Sequence, residues 1–402
     1  MKLAVLITVL AGLCVAHALA PAHQEQSKLQ ETSQDALLQQ FQAWAVQHNK
    51  PYVHDRKESA RRFSIWASNV AHISRSNAQR NAAGSSTRLG LTAFTDLTRE
   101  EFAAAYLGSP MVSRNLLPEQ QQQQHASGAG RLPGASALLR RFAAAPGSSA
   151  AANKKVQHWR YENVTPPSAA DWRAAQPPIL GPIKDQHVGG APCGSCWAFS
   201  AVSIMEIASA KATGKVISGS EQHLIDCDRK YDHGCEGGGW LNAIQYTIKN
   251  RGLATEDEYP YTAKDGKCNK TLAHAKHELQ VDDWEDVPFS NETALAAAVS
   301  QTPVIVAICC GPAIDDWHHY TGGIFDSPCC EKDKEITLDH GMVVVGYGQE
   351  AGTPYWILKN SWGAAWGEQG FMRIRRNHGK HGKCALASYP AMVFRNPPQP
   401  SA

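Results

Sequence analysis

The stretch Cys193-Gly194-Ser195-Cys196-Trp197-Ala198-Phe199-Ser200 carries the densest chemical signal in this 402-residue chain. After Cys196, apolar Phe199, Val202, Met205 and the Ile207-Ala208 pair recur at helical spacing until Gly214 offers a stop. Cys196 is therefore expected to open a helix, where unpaired backbone N–H groups and the positive end of the dipole favour a thiolate over a thiol. Two cysteines spaced CxxC also serve as a redox dithiol, as half of a zinc site, or as a structural cysteine beside a nucleophile. A thioredoxin-like dithiol expects a βαβ surround, whereas a Gly/Pro-rich loop precedes this motif. Zinc needs a second ligand pair; Cys227 and Cys235 are available, but no second CxxC and no HExxH occur.

A nucleophilic cysteine needs a base. Of the 17 histidines, His318-His319 and His378 with His381 fall in polar or Gly-rich stretches and are expected to be solvated. His340 differs, because it leads into Gly341-Met342-Val343-Val344-Val345-Gly346-Tyr347-Gly348, whose β-branched run between glycines reads as a buried strand. A second strand, Tyr355 to Lys359, delivers Asn360 just before Ser361-Trp362-Gly363. An amide there suits the task of accepting the imidazole N–H and fixing the ring, with Trp362 shielding the bond from water.

Working outward, 43% hydrophobic and 19% charged residues are enough to bury a core over two domains. A balance of 39 Lys and Arg against 37 Asp and Glu gives no electrostatic reason for a nucleic-acid partner. Met1-Lys2, the apolar run Leu3 to Ala16 and Ala18-Leu19-Ala20 read as a signal peptide over residues 1–20, too short an apolar run to span a membrane. A secretory route lets the ten cysteines beyond Cys14 oxidise, and makes Asn163, Asn269 and Asn291, each in an Asn-X-Thr triplet, glycosylation candidates. Composition then divides the chain into a polar helical region (21–107), a low-complexity linker and maturation region (108–160) holding Gln120 to Gln124, and a Cys-, Trp- and Gly-rich domain (161–402).

The ordered set Gln186, Cys196, His340 and Asn360, with Cys193 to Trp197, Cys235-Glu236-Gly237-Gly238, Glu258-Tyr259-Pro260-Tyr261, Asn360-Ser361-Trp362-Gly363 and Trp366-Gly367, resembles the papain family of cathepsin-like cysteine peptidases over residues 165–394. The resemblance implies an α+β, papain-like two-lobed fold, a helical lobe plus a β-barrel-like lobe, preceded by a helical propeptide domain. It implies a secretory-pathway endopeptidase, lysosomal, vacuolar or extracellular, in which a Cys196 thiolate pairs with protonated His340 and forms an acyl-enzyme. Asn360 orients the ring, and the Cys196 N–H and the Gln186 amide hold the oxyanion. One departure is visible: Cys196 stands ten positions after Gln186, where the family spacing is six, so the intervening loop must bulge outward. Gly237, Gly238, Gly239, Trp240, Ala307, Leu338, Asp339 and Trp362 are implied to bind substrate, with a hydrophobic side chain at the second subsite (S2). Implied disulfides are Cys193–Cys235, Cys227–Cys268 and Cys329–Cys384, leaving Cys309, Cys310 and Cys330 as an odd remainder.

Upstream, Glu58, Arg62, Trp66, Asn69, Ile73 and Asn77 recur at intervals of 4, 4, 3, 4 and 4, one face of a helix. The set resembles the ERFNIN pattern of the family's propeptides, with Trp66 where Phe is usual, and Gly90 to Asp96 resembles the companion GxNxFxD motif with Thr92 for Asn. This implies a zymogen inhibited by its own propeptide, running through the cleft in the nonproductive direction, with acid release through carboxylates such as Glu58 or Asp96. Expected partners are peptide and protein substrates and cystatin-like inhibitors, for a monomer that needs no cofactor or metal. The alternatives are a catalytically silent papain-like binding or inhibitor protein and, third, a thiol oxidoreductase.

Overall fold

The computed structural model describes residues 34–108, 159–187, 192–328 and 336–396. The signal segment, the linker over 109–158, Cys14, Cys329 and Cys330 lie outside the described residues. The chain divides into two units, residues 1–74 with 95–97, and residues 75–94 with 98–402.

In the first unit, helix α1 (34–47) and the first part of helix α2 (Arg56–Ala82) enclose an aromatic core. Phe41, Trp44, Tyr52 and Trp66 are buried together, with Phe41 and Trp66 meeting edge-on at 5.8 Å between ring centres. The expected helical face is real. Arg62 binds Glu58 at 2.7 Å and the Asp96 carbonyl at 3.0 Å, and Asn69 donates to the carbonyls of Thr95 (2.8 Å) and Leu97 (3.0 Å). Asp96 is buried and compensated by Lys50 at 2.8 Å and by the Tyr52 hydroxyl at 2.6 Å. The motif residues thus act as ties from one helix to the 95–97 loop, while Trp66 and Ile73 fill the core.

The second unit begins with the last turns of α2, where Asn77 clasps Leu89 by both its N–H (3.0 Å) and its carbonyl (2.7 Å). Strand β1 (Arg88–Leu89) follows, then helix α3 (Arg99–Tyr106). A capping box starts α3: the Thr98 hydroxyl accepts from Glu101 N at 3.1 Å and Glu101 returns the bond to Thr98 N at 2.9 Å. After the short strand β2 (Ala170–Asp171) comes helix α4 (Cys196–Thr213), which is buried from Cys196 to Ala210 and stops at Gly214, φ 72°. A helix apolar on every side must be surrounded, and α4 packs against the chain on all faces. Helices α5 (Glu221–Cys227) and α6 (Trp240–Asn250) complete a helical lobe, stapled by disulfides Cys193–Cys235 and Cys227–Cys268 as expected.

The β-rich lobe contains β3 (Asp283–Asp286), α7 (Glu292–Gln301), β4 (Val304–Ile308), α8 (Ile314–His318), β5 (Tyr320–Gly322), β6 (Ile324–Phe325), β7 (His340–Glu350), β8 (Thr353–Lys359), β9 (Phe371–Arg375) and β10 (Ala391–Phe394). The sheet order is β3-β10-β4-β7-β8-β9-β6, antiparallel except for the β6–β9 pair, and β2 adds to β7; β1 pairs separately with β5. The expected buried strand is β7, paired with β4 on one side and β8 on the other, so its residues from His340 to Gly348 see no solvent. Strand β8 ends at Lys359 and hands Asn360 to the site.

Two expectations change. His318 and His319 are buried, at 2% and 1% exposure, because α8 is capped by rings from the 94–106 segment; His381 is bonded to Ser290 at 2.6 Å. Of the odd cysteines, Cys309 is disulfide-bonded and Cys310 is free; Cys384 is also disulfide-bonded, and Cys329, the partner expected for it, lies outside the described residues. Because Trp66 is fully enclosed, Trp66→Ala is expected to cost the first unit about 3 to 5 kcal/mol and Trp66→Phe about 1 kcal/mol. Urea unfolding of the precursor followed by tryptophan fluorescence measures both; equal midpoints for the two variants would contradict the packing described.

Candidate active site

Cys196 is the first residue of α4, and its sulfur is fully buried. The thiol donates weakly to the Asp339 carbonyl at 3.9 Å, and the N–H groups of Gly341, Gly108 and Trp197 face the sulfur. Those dipoles and the helix start favour a thiolate, as the sequence suggested. Burial outweighs them, is aided by the Asp339 charge, and pushes the thiol up to about 11.

His340 opens β7 one residue after Asp339. Its Nε2–H donates to Asn360 Oδ1 at 2.8 Å, and the same oxygen accepts Ser361 N–H at 2.9 Å, which fixes the amide orientation. Nδ1 is therefore the nitrogen left for the reacting groups. The Trp362 ring lies 4.7 Å from the imidazole and covers it. Burial pulls His340 down to about 4, although Asn360 and the Tyr106 carbonyl, which polarises the ring from outside hydrogen-bond geometry, both oppose the drop. Burial therefore works against the expected thiolate–imidazolium pair while the site is enclosed, raising the thiol and lowering the imidazole.

Gln186 reaches the site despite the lengthened spacing. Its N–H donates to the Ser361 carbonyl at 2.9 Å and its Oε1 accepts the Ser361 hydroxyl at 2.9 Å. Tyr261 adds a brace, donating to the Gln186 carbonyl at 2.7 Å and meeting the Ser195 hydroxyl at 2.8 Å. These ties are made by Gln186 itself, before the loop that follows it; residues 188–191 lie outside the described residues. Tyr261 was legible only as part of a family motif, and Ser361 carried no signal beyond its place beside Asn360.

The occupant of the site is the chain's own segment 105–108. Gln186 Nε2 donates to the carbonyls of Ala105 (3.4 Å), Tyr106 (3.3 Å) and Cys193 (3.2 Å). Gly108 N–H donates to the Asp339 carbonyl at 3.1 Å, and a Cβ on Gly108 would stand 3.5 Å from Cys196 Sγ and 3.7 Å from Gly237 Cα. Upstream, Phe102 meets Trp362 edge-on at 5.1 Å and stacks on His318 at 4.4 Å. His318 Nε2–H donates to the Phe94 carbonyl at 2.5 Å, Arg80 pairs with Asp316 at 2.5 Å, and Arg99 binds the Gly311 carbonyl at 2.7 Å.

The other expected substrate residues are placed unevenly. Ala307 and Leu338 lie close together, since Ala307 pairs with Gly341 and Asp339 N–H donates to the Ile308 carbonyl at 2.9 Å. Gly239 caps α6 and Trp240 begins it, buried against Tyr389 at 5.4 Å; Tyr389 belongs to the C-terminal stretch whose pocket contribution the sequence left unassigned. Asn163, Asn269 and Asn291 are all exposed, and the last two also cap helices through Oδ1.

The chain and this geometry have known counterparts. Residues 166–394 match the family described as papain family cysteine protease, and residues 41–102 match the cathepsin propeptide inhibitor domain. Germination-specific cysteine protease 1 of Arabidopsis thaliana is 39% identical over 362 residues, covering 88% of this chain and 84% of that protein. Senescence-specific cysteine protease SAG39 of Oryza sativa subsp. japonica is 37% identical over 398 residues, 97% of this chain and 98% of that one. The proform of the Amb a 11 cysteine protease, a ragweed pollen allergen, is 31% identical with a TM-score of 0.69, over 90% of this chain and 96% of that one.

Phe102→Ala removes the ring that joins α3 to Trp362 and His318. The precursor variant is expected to take up an epoxide thiol label at Cys196 at least about tenfold faster than wild type, as loss of a buried Phe costs several kcal/mol of closure. Equal labelling rates would show that α3 does not hold the segment down.

Proposed function

From a chain that belongs to the papain family of cysteine proteases and carries a cathepsin propeptide inhibitor domain, we propose a division of labour among the residues just described. Cys196 is the nucleophile: its thiolate forms a C–S bond to the scissile carbonyl carbon after its proton passes to His340 Nδ1. The imidazolium then protonates the leaving amine, and water hydrolyses the acyl-enzyme. Asn360 holds the ring, and the Cys196 N–H with Gln186 Nε2 receives the oxyanion. The observation that carries this reading is Gln186 Nε2 bound to the Ala105 and Tyr106 carbonyls beside the enclosed sulfur. A donor already serving main-chain carbonyls at the nucleophile is positioned for the carbonyl of a substrate.

Residues 105–108 would inhibit by two routes at once, occupying the oxyanion donor and dehydrating the Cys196–His340 pair. Apolar Ala307, Leu338 and Trp240 support a hydrophobic substrate side chain at S2. The eight positions from Cys227 to Cys235, without a long insertion after them, support endopeptidase action. The N-terminal apolar run and the two disulfides support passage through the secretory pathway to a lysosome, a vacuole or the outside, with maturation by cleavage in the 108–160 region. Among the described residues no helix is long and apolar enough to cross a membrane.

Mutation separates the roles of nucleophile and oxyanion donor. In the matured enzyme Cys196→Ala abolishes hydrolysis of a dipeptidyl substrate, and Gln186→Ala lowers kcat by about 10² to 10³ with the label still accepted at Cys196; an unchanged kcat in Gln186→Ala removes it from the oxyanion site.

Acid acts on the enclosed imidazole. His340 sits near 4 when enclosed, below the ordinary imidazole value of 6.5, so the released state binds a proton that the enclosed state refuses. Closure is strongest above about 6.5 and weakens as pH falls toward 4, by at most on the order of 3 kcal/mol. Cleavage of Cys196→Ala precursor by added mature enzyme should be about tenfold faster near pH 5 than near pH 7, after correction for the enzyme's own pH dependence. A corrected rate that does not change with pH contradicts this.

A further inference from the structure

Two aspartates between Cys227 and Cys235 have no part in the chemistry above. Asp228 and Asp232 are buried, at 5% and 1% exposure, and each has an Oδ2 that meets no N–H or hydroxyl donor. Asp232 Oδ1, in contrast, accepts the Gly239 N–H at 2.8 Å and the Asn242 side-chain N–H at 3.0 Å. The two carboxyl groups lie within hydrogen-bonding reach of each other. Such a bond needs one proton between them, since two ionised carboxylates in contact repel and two neutral ones would not suit the N–H donors on Asp232. Asp232 is the ionised partner because it receives those donors; Asp228 keeps the proton and donates it.

Among the described residues no cation is bonded to the pair. His233 is exposed and acts on Asp232 only through its field, the Tyr246 hydroxyl from α6 meets His223 at 3.0 Å and feels the Asp228 charge, and Arg229 is engaged by Asp265 at 2.6 Å. Burial first, and the neighbouring Asp232 second, push Asp228 up to about 8.

What the pair supports is a short run of glycines. A Cβ on Gly238 would stand 2.8 Å from Asp232 Oδ1 and 2.7 Å from the Trp197 indole, so the backbone there lies directly on Asp232 and on the residue after the nucleophile. Gly237, with φ 120°, presents its Cα to Gly108 in the occupied site. One side of the run thus faces the site's occupant and the other rests on a carboxylate.

We propose that Asp228 and Asp232 share a single proton and that this pair positions the Gly237–Gly239 run for the backbone of a bound peptide, making Asp232 a positioning residue for substrate binding. The proposal rests on the reading of that run as a wall of the peptidase cleft. When the shared proton leaves, two charges face each other under Gly239 and the run shifts. The consequence is a KM that rises on the alkaline side, through Asp228, separately from any titration of Cys196 and His340 that acts on kcat.

The test uses full-length precursor, activated, with a dipeptidyl amide substrate and an epoxide label to count active sites. An Asn at position 232 still accepts from Gly239 and Asn242 and donates to ionised Asp228, so the bond no longer needs the proton. Asp232→Asn is expected to keep the acid-side KM within about twofold of wild type while removing the alkaline rise, which in wild type reaches about tenfold near pH 9. Asp232→Ala is expected to raise KM about tenfold across the range, with kcat per labelled site within about threefold.

A wild-type KM that is flat with pH, or an Asp232→Asn profile that tracks wild type, overturns the proposal. If Asp232→Ala accepts no label, Asp228→Asn decides, since its amide also donates without a titrating proton. A flat KM then supports the pair and an unchanged alkaline rise overturns it. Absence of hydrolysis and label in wild type would instead sink the peptidase reading, a result distinct from either.

Discussion

The sulfur of Cys196 lies under Gly108, beside the Asp339 carbonyl and at the first turn of a helix, fully enclosed, and that enclosure governs the state of everything near it. A helix start and three N–H dipoles are the usual devices for making a thiolate, and all are present. They lose to desolvation, because a charge removed from water needs more than dipoles to remain a charge. The same segment that buries the sulfur also takes the Gln186 amide. The enclosure therefore acts electrostatically as well as sterically: burial shifts Cys196 and His340 each toward its neutral form.

Holding that arrangement requires parts of the chain remote in sequence to be tied at fixed points. Gln186 and Asn360 share one anchor, Ser361, whose carbonyl and hydroxyl bond to Gln186 and whose N–H bonds to the Asn360 side chain. His340 pairs with Ile308 of β4, and its ring is held by Asn360 and covered by Trp362. On the other side, α3 presents Phe102 and Tyr106 to Trp362, while Arg80 and Arg99 grip α8 and its approach. Rigid strands supply precision to the reacting groups; a short capped helix supplies a contact weak enough to be undone.

Much of this was readable beforehand, for reasons that differ by residue. Cys196 announced itself by opening an apolar run, His340 by leading into a β-branched strand, and Glu58 to Asn77 by a helical period; all are patterns of side chains along the chain. The departures arise where backbone or burial decides. Carbonyls of Ala105 and Tyr106 leave no trace in residue type, so the blocking segment was located only by motif. His318 and His319 look solvated in a polar stretch, and become buried because Phe94 and Phe102 arrive from more than two hundred residues away. The lengthened spacing from Gln186 to Cys196 asked for an outward bulge; the bonds to Ser361 are made by Gln186 itself, before the intervening residues begin. Asp228 and Asp232 were two unremarked charges in a loop until the fold buried both and set Asp232 against Gly238.

Burial drives the enclosed Cys196 and His340 toward their neutral forms, and thiolate absorbance in the ultraviolet reads that shift directly. The difference spectrum between wild type and Cys196→Ala, taken near neutral pH on the precursor and again after maturation, should show no thiolate band in the precursor and a full one in the mature enzyme. A thiolate band of equal strength in both would mean that the segment over Cys196 blocks access without removing charge, and the electrostatic part of the inhibition would be wrong.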